Sequence, residues 1–301
     1  MSSARYKVQA LAYPQDKEEF YRTLTKRNFH FIPPATQNAL RALKVLVAGC
    51  GSTGGACIEP LARLGVENFI LADNGEYELT NLNRQHAFIE NIGQNKAQFH
   101  TDCLRRINPS ASVICFPEGI TPQNIEDSVR WADIVIDAVD VTSSSGITMK
   151  LQLHKFAKGL ERPVLTALDI GFRQWGRSYD YRNPDLEIFA GAYKKALASR
   201  HPMKVLFSIV PLSAVPAHSL ALIEDLLTQD NVPASQLGCA SDLLSAIIVP
   251  VIVRFVETGE LSKGWNVDLS PLKSSLQQRL REYFGTVPQR YKLKKLLAST
   301  P

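Results

Sequence analysis

Three glycines in the run Ala48-Gly49-Cys50-Gly51-Ser52-Thr53-Gly54 follow the apolar segment KVLVA and open a helix-period segment. Glycines at this spacing allow a tight turn and close backbone approach, and the helix start presents unpaired amides to a phosphate. Asp73 ends the next apolar run, roughly twenty residues on, where such folds hold a ribose hydroxyl. Up to this point a nicotinamide- or flavin-dependent oxidoreductase fits as well as an ATP-binding protein.

The segment after Asp73 separates them. GEYELTNLNRQHAF and IGQNK place Asn81, Arg84, Gln85 and Lys96 just past the second strand, on the ligand edge of an open α/β sheet. A triphosphate calls for an Arg and a Lys together, because charge builds on the departing pyrophosphate. In DIVIDAVD, Asp137 and Asp140 reach the same edge, where one carboxylate could hold a Mg²⁺ that bridges phosphates. Singly, these residues have ordinary readings, a solvated Arg and Lys and a helix-capping Asp140. Their convergence favours the nucleotide.

The elements that must carry these residues alternate along the chain. KVLVA, NFILA, SVICF, DIVIDAV and PVLTAL read as strands, separated by helix-period segments such as GQNKAQFHTDCLRRI and MKLQLHKFAKGL. Continuous Val/Ile-rich runs suit a sheet covered on both faces. The expected fold is α/β: a doubly wound, Rossmann-like, mainly parallel sheet with an N-terminal helical extension and a C-terminal extension. Residues 1–43 form the extension, 44–170 a nucleotide-binding domain, 171–268 a crossing segment with the rest of the fold, and 269–301 a basic tail. After Gly171 periodicity fades, and MKVLFSIVPL reads as one more strand. Trp175, Tyr179, Tyr181 and Phe189, with Arg173, Arg177 and Arg182, either close over an extended peptide or pack the crossing segment on the sheet.

Composition excludes other classes. The chain has 301 residues, 45% hydrophobic and 21% charged, enough for a large core and too apolar for disorder. Its five cysteines are widely spaced with no CxxC pair, so neither a disulfide framework nor a cysteine-rich zinc site is indicated, and a reducing cytoplasm is expected. The first twenty residues lack a signal-peptide core, and the apolar run Leu243–Val256 is short for a membrane span, so no membrane partner is expected. The 34 basic and 29 acidic residues nearly balance. From Leu269 onward, however, seven Lys or Arg face one acid, Glu282. That tail is either a solvated helix or the contact for an acidic partner.

Together, GxGxxG, LADNGEYELTNLNRQ, IGQNK and VIDAVD resemble the ThiF/MoeB/HesA superfamily, which includes the adenylation domain of ubiquitin-activating enzymes. The resemblance covers about Thr25 to Leu168. It implies an adenylyltransferase that uses ATP and Mg²⁺ to activate a carboxylate, usually the C-terminus of a small carrier or ubiquitin-like protein or peptide. By position, Gly49, Gly51 and Gly54 match its glycine motif and Asp73 its ribose-binding acid. Asn81, Arg84 and Lys96 match its phosphate contacts, and Asp140 its Mg²⁺ acid. Arg27 in LTKRNF matches an arginine that the family inserts from a neighbouring subunit, implying a homodimer, with Arg22 the second choice. Ser52 and Gly75 depart from the family's second glycine and second acid. Arg173 to Pro202 contains no cysteine for a thioester step. A tRNA-modifying dehydratase of the same superfamily is the alternative, with the basic tail on tRNA phosphates.

Overall fold

The computed structural model describes residues 13–299, apart from 142, 199–200, 230–231 and 271–274. Helices α1 (Lys17–Leu24) and α2 (Pro34–Ala42) lead into β1 (Lys44–Ala48), α3 (Ser52–Leu64), β2 (Asn68–Ala72), α4 (Lys96–Ile107), β3 (Ser112–Phe116), α5 (Ile125–Trp131), β4 (Ile134–Asp137), α6 (Ser144–Gly159) and β5 (Val164–Ile170). Then come β6 (Arg173–Tyr179), α7 (Tyr193–Ala198), α8 (Pro202–Ile209), α9 (Leu220–Thr228), α10 (Gly238–Thr258), β7 (Gly264–Asp268), α11 (Leu276–Gly285) and α12 (Val287–Ser299).

The strands form one seven-stranded sheet in the order β3-β2-β1-β4-β5-β6-β7. The first five are parallel; β6 pairs antiparallel with β5, and β7 pairs antiparallel with β6. The expected doubly wound α/β sheet is therefore present, and five of the six sequence-read strands belong to its parallel part. Val45, Leu46, Val47 and Ala48 of β1 are all buried, because helices cover both faces. One layer holds α3, α4 and α10 with Ile58, Leu61, Leu244 and Ile248 in its core. The other holds α5 and α6 with Ile125, Val129 and Leu153. Chain order reverses between β1 and β4, so a ligand crevice opens at the carboxyl ends of these two strands.

One sequence reading changes, and two others are sharpened. MKVLFSIVPL is not a strand: Val205 and Ile209, one helical turn apart, are buried on α8, Pro202 opens the helix, and the His201 side chain accepts the Met203 amide at 3.2 Å. Polar RQWGRSY and GWNVD instead form β6 and β7. Those strands hold because Gly176 leaves room for the Trp265 ring; a Cβ there would stand 2.1 Å from it. Trp175, Tyr179, Tyr181 and Phe189 are buried, so they pack the crossing segment rather than line a peptide groove. Finally, α10 runs 21 residues through Pro250, long and apolar enough by length and composition to span a membrane, which Leu243–Val256 alone is not. Its Leu244, Ile248, Ile252 and Phe255 are buried in the core shared with α3.

Candidate functional site

The glycine turn joins the end of β1 to the start of α3. Gly49 adopts φ +92°, a left-handed conformation that disfavours side chains, and its amide donates to Ala72 O at 2.8 Å. A Cβ on Gly54 would lie 1.8 Å from Gly49 O, so the turn closes only with glycine there. Gly51 differs. A Cβ there would meet only Gln85 Nε2, at 3.7 Å, so its missing side chain leaves open space at the first turn of α3.

Asp73 locks this turn to the end of β2. Its carboxylate accepts the Cys50 amide at 2.6 Å and the Gly75 amide at 2.7 Å. Lys96 opens α4, and a Cβ on Gly75 would stand 3.0 Å from Asp73 Oδ1 and 3.5 Å from Lys96 Nζ. Asp73 and Lys96 thus flank Gly75 beside the turn. Asn95 ties the segment down, donating to Asp73 O at 2.9 Å while its oxygen caps α4 through the Gln98 amide. Asn81 is buried, and its side-chain oxygen accepts the Glu78 amide at 3.2 Å, which shapes the loop that carries Arg84. Arg84 is half-buried; its Nη1 donates to Thr80 O and Asn83 Oδ1, both at 2.9 Å, whereas Nε is buried with no hydrogen-bond partner.

The two aspartates of β4 have different fates. Asp137 is fully buried: Lys150 Nζ lies 2.5 Å from Oδ2, His154 Nε2 2.9 Å and Thr166 Oγ1 3.0 Å, while Oδ1 accepts the Val139 amide. Burial would raise this carboxyl's pKa, but Lys150 and His154 outweigh it and hold the group well below the usual range. Burial lowers the pKa of His154 against the opposing pull of Asp137, and its Nδ1 lies 2.7 Å from the Tyr181 hydroxyl. Asp137 is thereby engaged in supporting its loop, whereas Asp140 is exposed three residues past the carboxyl end of β4. Among the described residues, no group of three or more metal-binding side chains occurs. A Mg²⁺ site here needs nucleotide oxygens to complete it, which is the ordinary mode for that ion.

Two residues at this edge, Asp169 and Gln174, carried no sequence signal. Asp169, at the end of β5, is buried; it accepts the Ser52 hydroxyl at 2.7 Å and Gln174 Nε2 at 2.5 Å. Burial raises its pKa, with Ser52, Gln174 and the Arg84 charge opposing that shift. Ser52, one of the departures from the family pattern, is thus directed toward the sheet. Arg27 lies elsewhere. It is exposed on the short turn Lys26–Asn28, and the Asn28 side chain donates to Leu64 O at the far end of α3. Thirteen helical residues, roughly 20 Å, separate that end from the glycine turn, so Arg27 does not reach the site of its own chain.

The ThiF family model matches residues 24–199. The chain belongs to the ThiF family. The sulfur carrier protein ThiS adenylyltransferase of Escherichia coli is 30% identical over 137 residues, 45% of this chain and 53% of that protein. The tRNA threonylcarbamoyladenosine dehydratase of the same organism is 37% identical over 125 residues, covering 40% and 44%. This chain therefore spans about half the length of the curated relatives it matches. Among solved structures, PaaA aligns with a TM-score of 0.57 at 19% identity, over 83% of this chain and 76% of PaaA. Escherichia coli MccB with ATP aligns at 0.55 and 20% identity, over 85% and 70%. These structures share the fold.

Proposed function

We propose that this ThiF-family chain binds ATP at the β1–α3 turn and adenylates a carboxylate. What supports the reading is the glycine turn, where Gly51 leaves the first turn of α3 open to a ligand, with Asp73 holding the Cys50 amide and Lys96 beside Gly75. Asp73 positions the ribose end of the site, and Asn81 contributes a phosphate contact. Backbone amides at the start of α3 face the phosphates, and Lys96 and Arg84 neutralise charge as it grows on the leaving pyrophosphate. Asp140 would hold a Mg²⁺, which when bound would supply further charge neutralisation. The acceptor's carboxylate oxygen forms a bond to the α-phosphorus, and the bond to the bridging oxygen breaks with its electron pair leaving on pyrophosphate. No general base is needed, because a carboxylate is already ionised at neutral pH.

Arg27 enters this scheme only from a second copy, which makes the active form a homodimer. The acceptor is the C-terminus of a small carrier or ubiquitin-like protein or a peptide, in keeping with the ThiS-directed relative and with MccB, which was crystallised with MccA. Its free cysteines suit a reducing cytoplasm. The tRNA-modifying alternative is favoured by the dehydratase relatives and by the basic tail.

ATP–pyrophosphate exchange with candidate acceptors tests the proposal. Arg84→Ala and Asp140→Ala should each lower exchange by at least a hundredfold with an unchanged unfolding midpoint, and retained exchange would remove that residue from its role. Mixing Arg27→Ala with Asp140→Ala subunits should restore part of the activity; no recovery would exclude an arginine acting across the interface.

A further inference from the structure

Among the described residues, the helices after β7 carry an apolar face that no other element covers. β7 ends at Asp268, paired in register with Arg173, and Arg173 sits opposite Ile170 at the end of β5. The tail therefore leaves the sheet on the same edge as Asp169 and the glycine turn. It is firmly seated there. Arg290 of α12 donates to Leu212 O and Val215 O, both at 2.8 Å, Leu293 is fully buried, and Lys292 pairs with Glu224 of α9. By contrast, α11 packs principally on α12 and turns an apolar face outward.

On α11, Leu276, Leu280, Tyr283 and Phe284 fall on one stripe about 100° wide. These four, continued by Val287 and Tyr291 on α12, are 47–66% exposed. An uncovered helix stripe of this kind marks an interaction site. Arg281, Lys294 and Lys295 are exposed on the same two helices, and Lys295 Nζ stands 4.7 Å over the Tyr291 ring. Charge decides what fits. A second copy related by a two-fold axis would bring this basic surface onto itself, which is repulsive. A nucleic acid would satisfy the cations, yet Leu276 and Leu280 offer nothing to phosphate, sugar or base.

We infer that α11 and its junction with α12 form a docking face for an acidic, amphipathic segment of the acceptor protein or peptide, held beside the sheet edge where its carboxylate terminus reacts. This rests on the adenylation reading for the identity of the partner. The apolar stripe supplies the contact area, and Arg281, Lys294 and Lys295 select acidic flanks.

The test uses the full chain and a fluorescein-labelled twenty-residue helical peptide with leucines on one face and glutamates elsewhere, read by anisotropy. The peptide should bind at least tenfold more tightly than its lysine-for-glutamate counterpart, with affinity falling as salt rises. Leu280→Asp and Phe284→Asp should each weaken it at least tenfold while leaving ATP affinity and the unfolding midpoint unchanged, since both side chains are exposed. Equal binding of the lysine peptide, unaltered binding by both variants, or displacement of the peptide by an RNA hairpin would overturn the inference. So would light scattering that shows the variants only turning a dimer into a monomer. Failure of the unmodified chain to bind ATP would count against the adenylation reading alone, because the peptide measurement is made without nucleotide.

Discussion

Substituting alanine for each glycine of the turn separates what that turn does for the fold from what it does for a ligand. In Gly54→Ala the new Cβ starts 1.8 Å from Gly49 O, whereas real Cβ contacts stay beyond 3.0 Å, so the turn must open by about 1.2 Å. Both partners are backbone, and no rotamer change relieves the clash. Overpacking of this kind costs about 3 kcal/mol. For a chain of 301 residues, with an unfolding entropy near ~2.1 cal/mol/K per residue, this lowers the melting temperature by about 5 °C. Displacing the helix start by about 1 Å also removes the aim of its amides, a change that costs roughly a hundredfold in a pre-organised site. Gly51→Ala behaves otherwise, because its Cβ meets only Gln85 Nε2 at 3.7 Å. Its stability loss should stay within about 1 kcal/mol, the range for a cap position. If phosphates approach Gly51, its ATP affinity should nonetheless drop at least tenfold, about 1.4 kcal/mol. Calorimetric titration with ATP beside thermal unfolding checks both variants. Wild-type ATP affinity in Gly51→Ala would show that phosphates do not lie on this turn, and wild-type stability in Gly54→Ala would refute the steric argument.

Two further expectations concern the buried charges. Lys150→Met leaves Asp137 buried without its cation and should cost about 3–5 kcal/mol at pH 7, whereas Asp137→Asn combined with Lys150→Met should cost less than the two single changes added together. Because the folded pKa of Asp137 is depressed, its stabilising effect is present above the ordinary carboxyl value and is lost as pH falls toward the folded one. The gap between the wild type and Lys150→Met, measured by urea unfolding, should therefore narrow in acid; a gap that is constant with pH would refute the charge assignment. Asp169 works in the opposite sense: its folded pKa is raised, so its contribution is full below the ordinary carboxyl value and is lost as pH rises through the folded one. Asp169→Asn keeps partners for Ser52 and Gln174 and should flatten that part of the pH–stability profile, an expectation that identical slopes for variant and wild type would defeat.

Much of the architecture was legible in residue order, because a parallel sheet covered on both faces demands continuous apolar strands, and KVLVA, NFILA and DIVIDAV are such strands. The glycine spacing and the Arg, Lys and Asp residues after it were legible as well, since a turn of that shape and a run of cations on one sheet edge leave a mark in composition. Spatial neighbours distant in the chain left none. Asp137 and Asp140 look alike in DIVIDAVD; only the arrival of Lys150, His154 and Thr166 from α6 and β5 makes Asp137 a buried support, while Asp140 is exposed. Asp169 meets Ser52 across 117 positions of sequence, a pairing that no local pattern encodes. The strands RQWGRSY and GWNVD were hidden because a ring seated over Gly176, rather than alternating apolar residues, holds them together. Residue types and local spacing thus determined the elements and the class of chemistry. The packing of segments remote in sequence decided which charges are buried and paired, since the cost of burying a charge depends on partners that only the folded chain supplies.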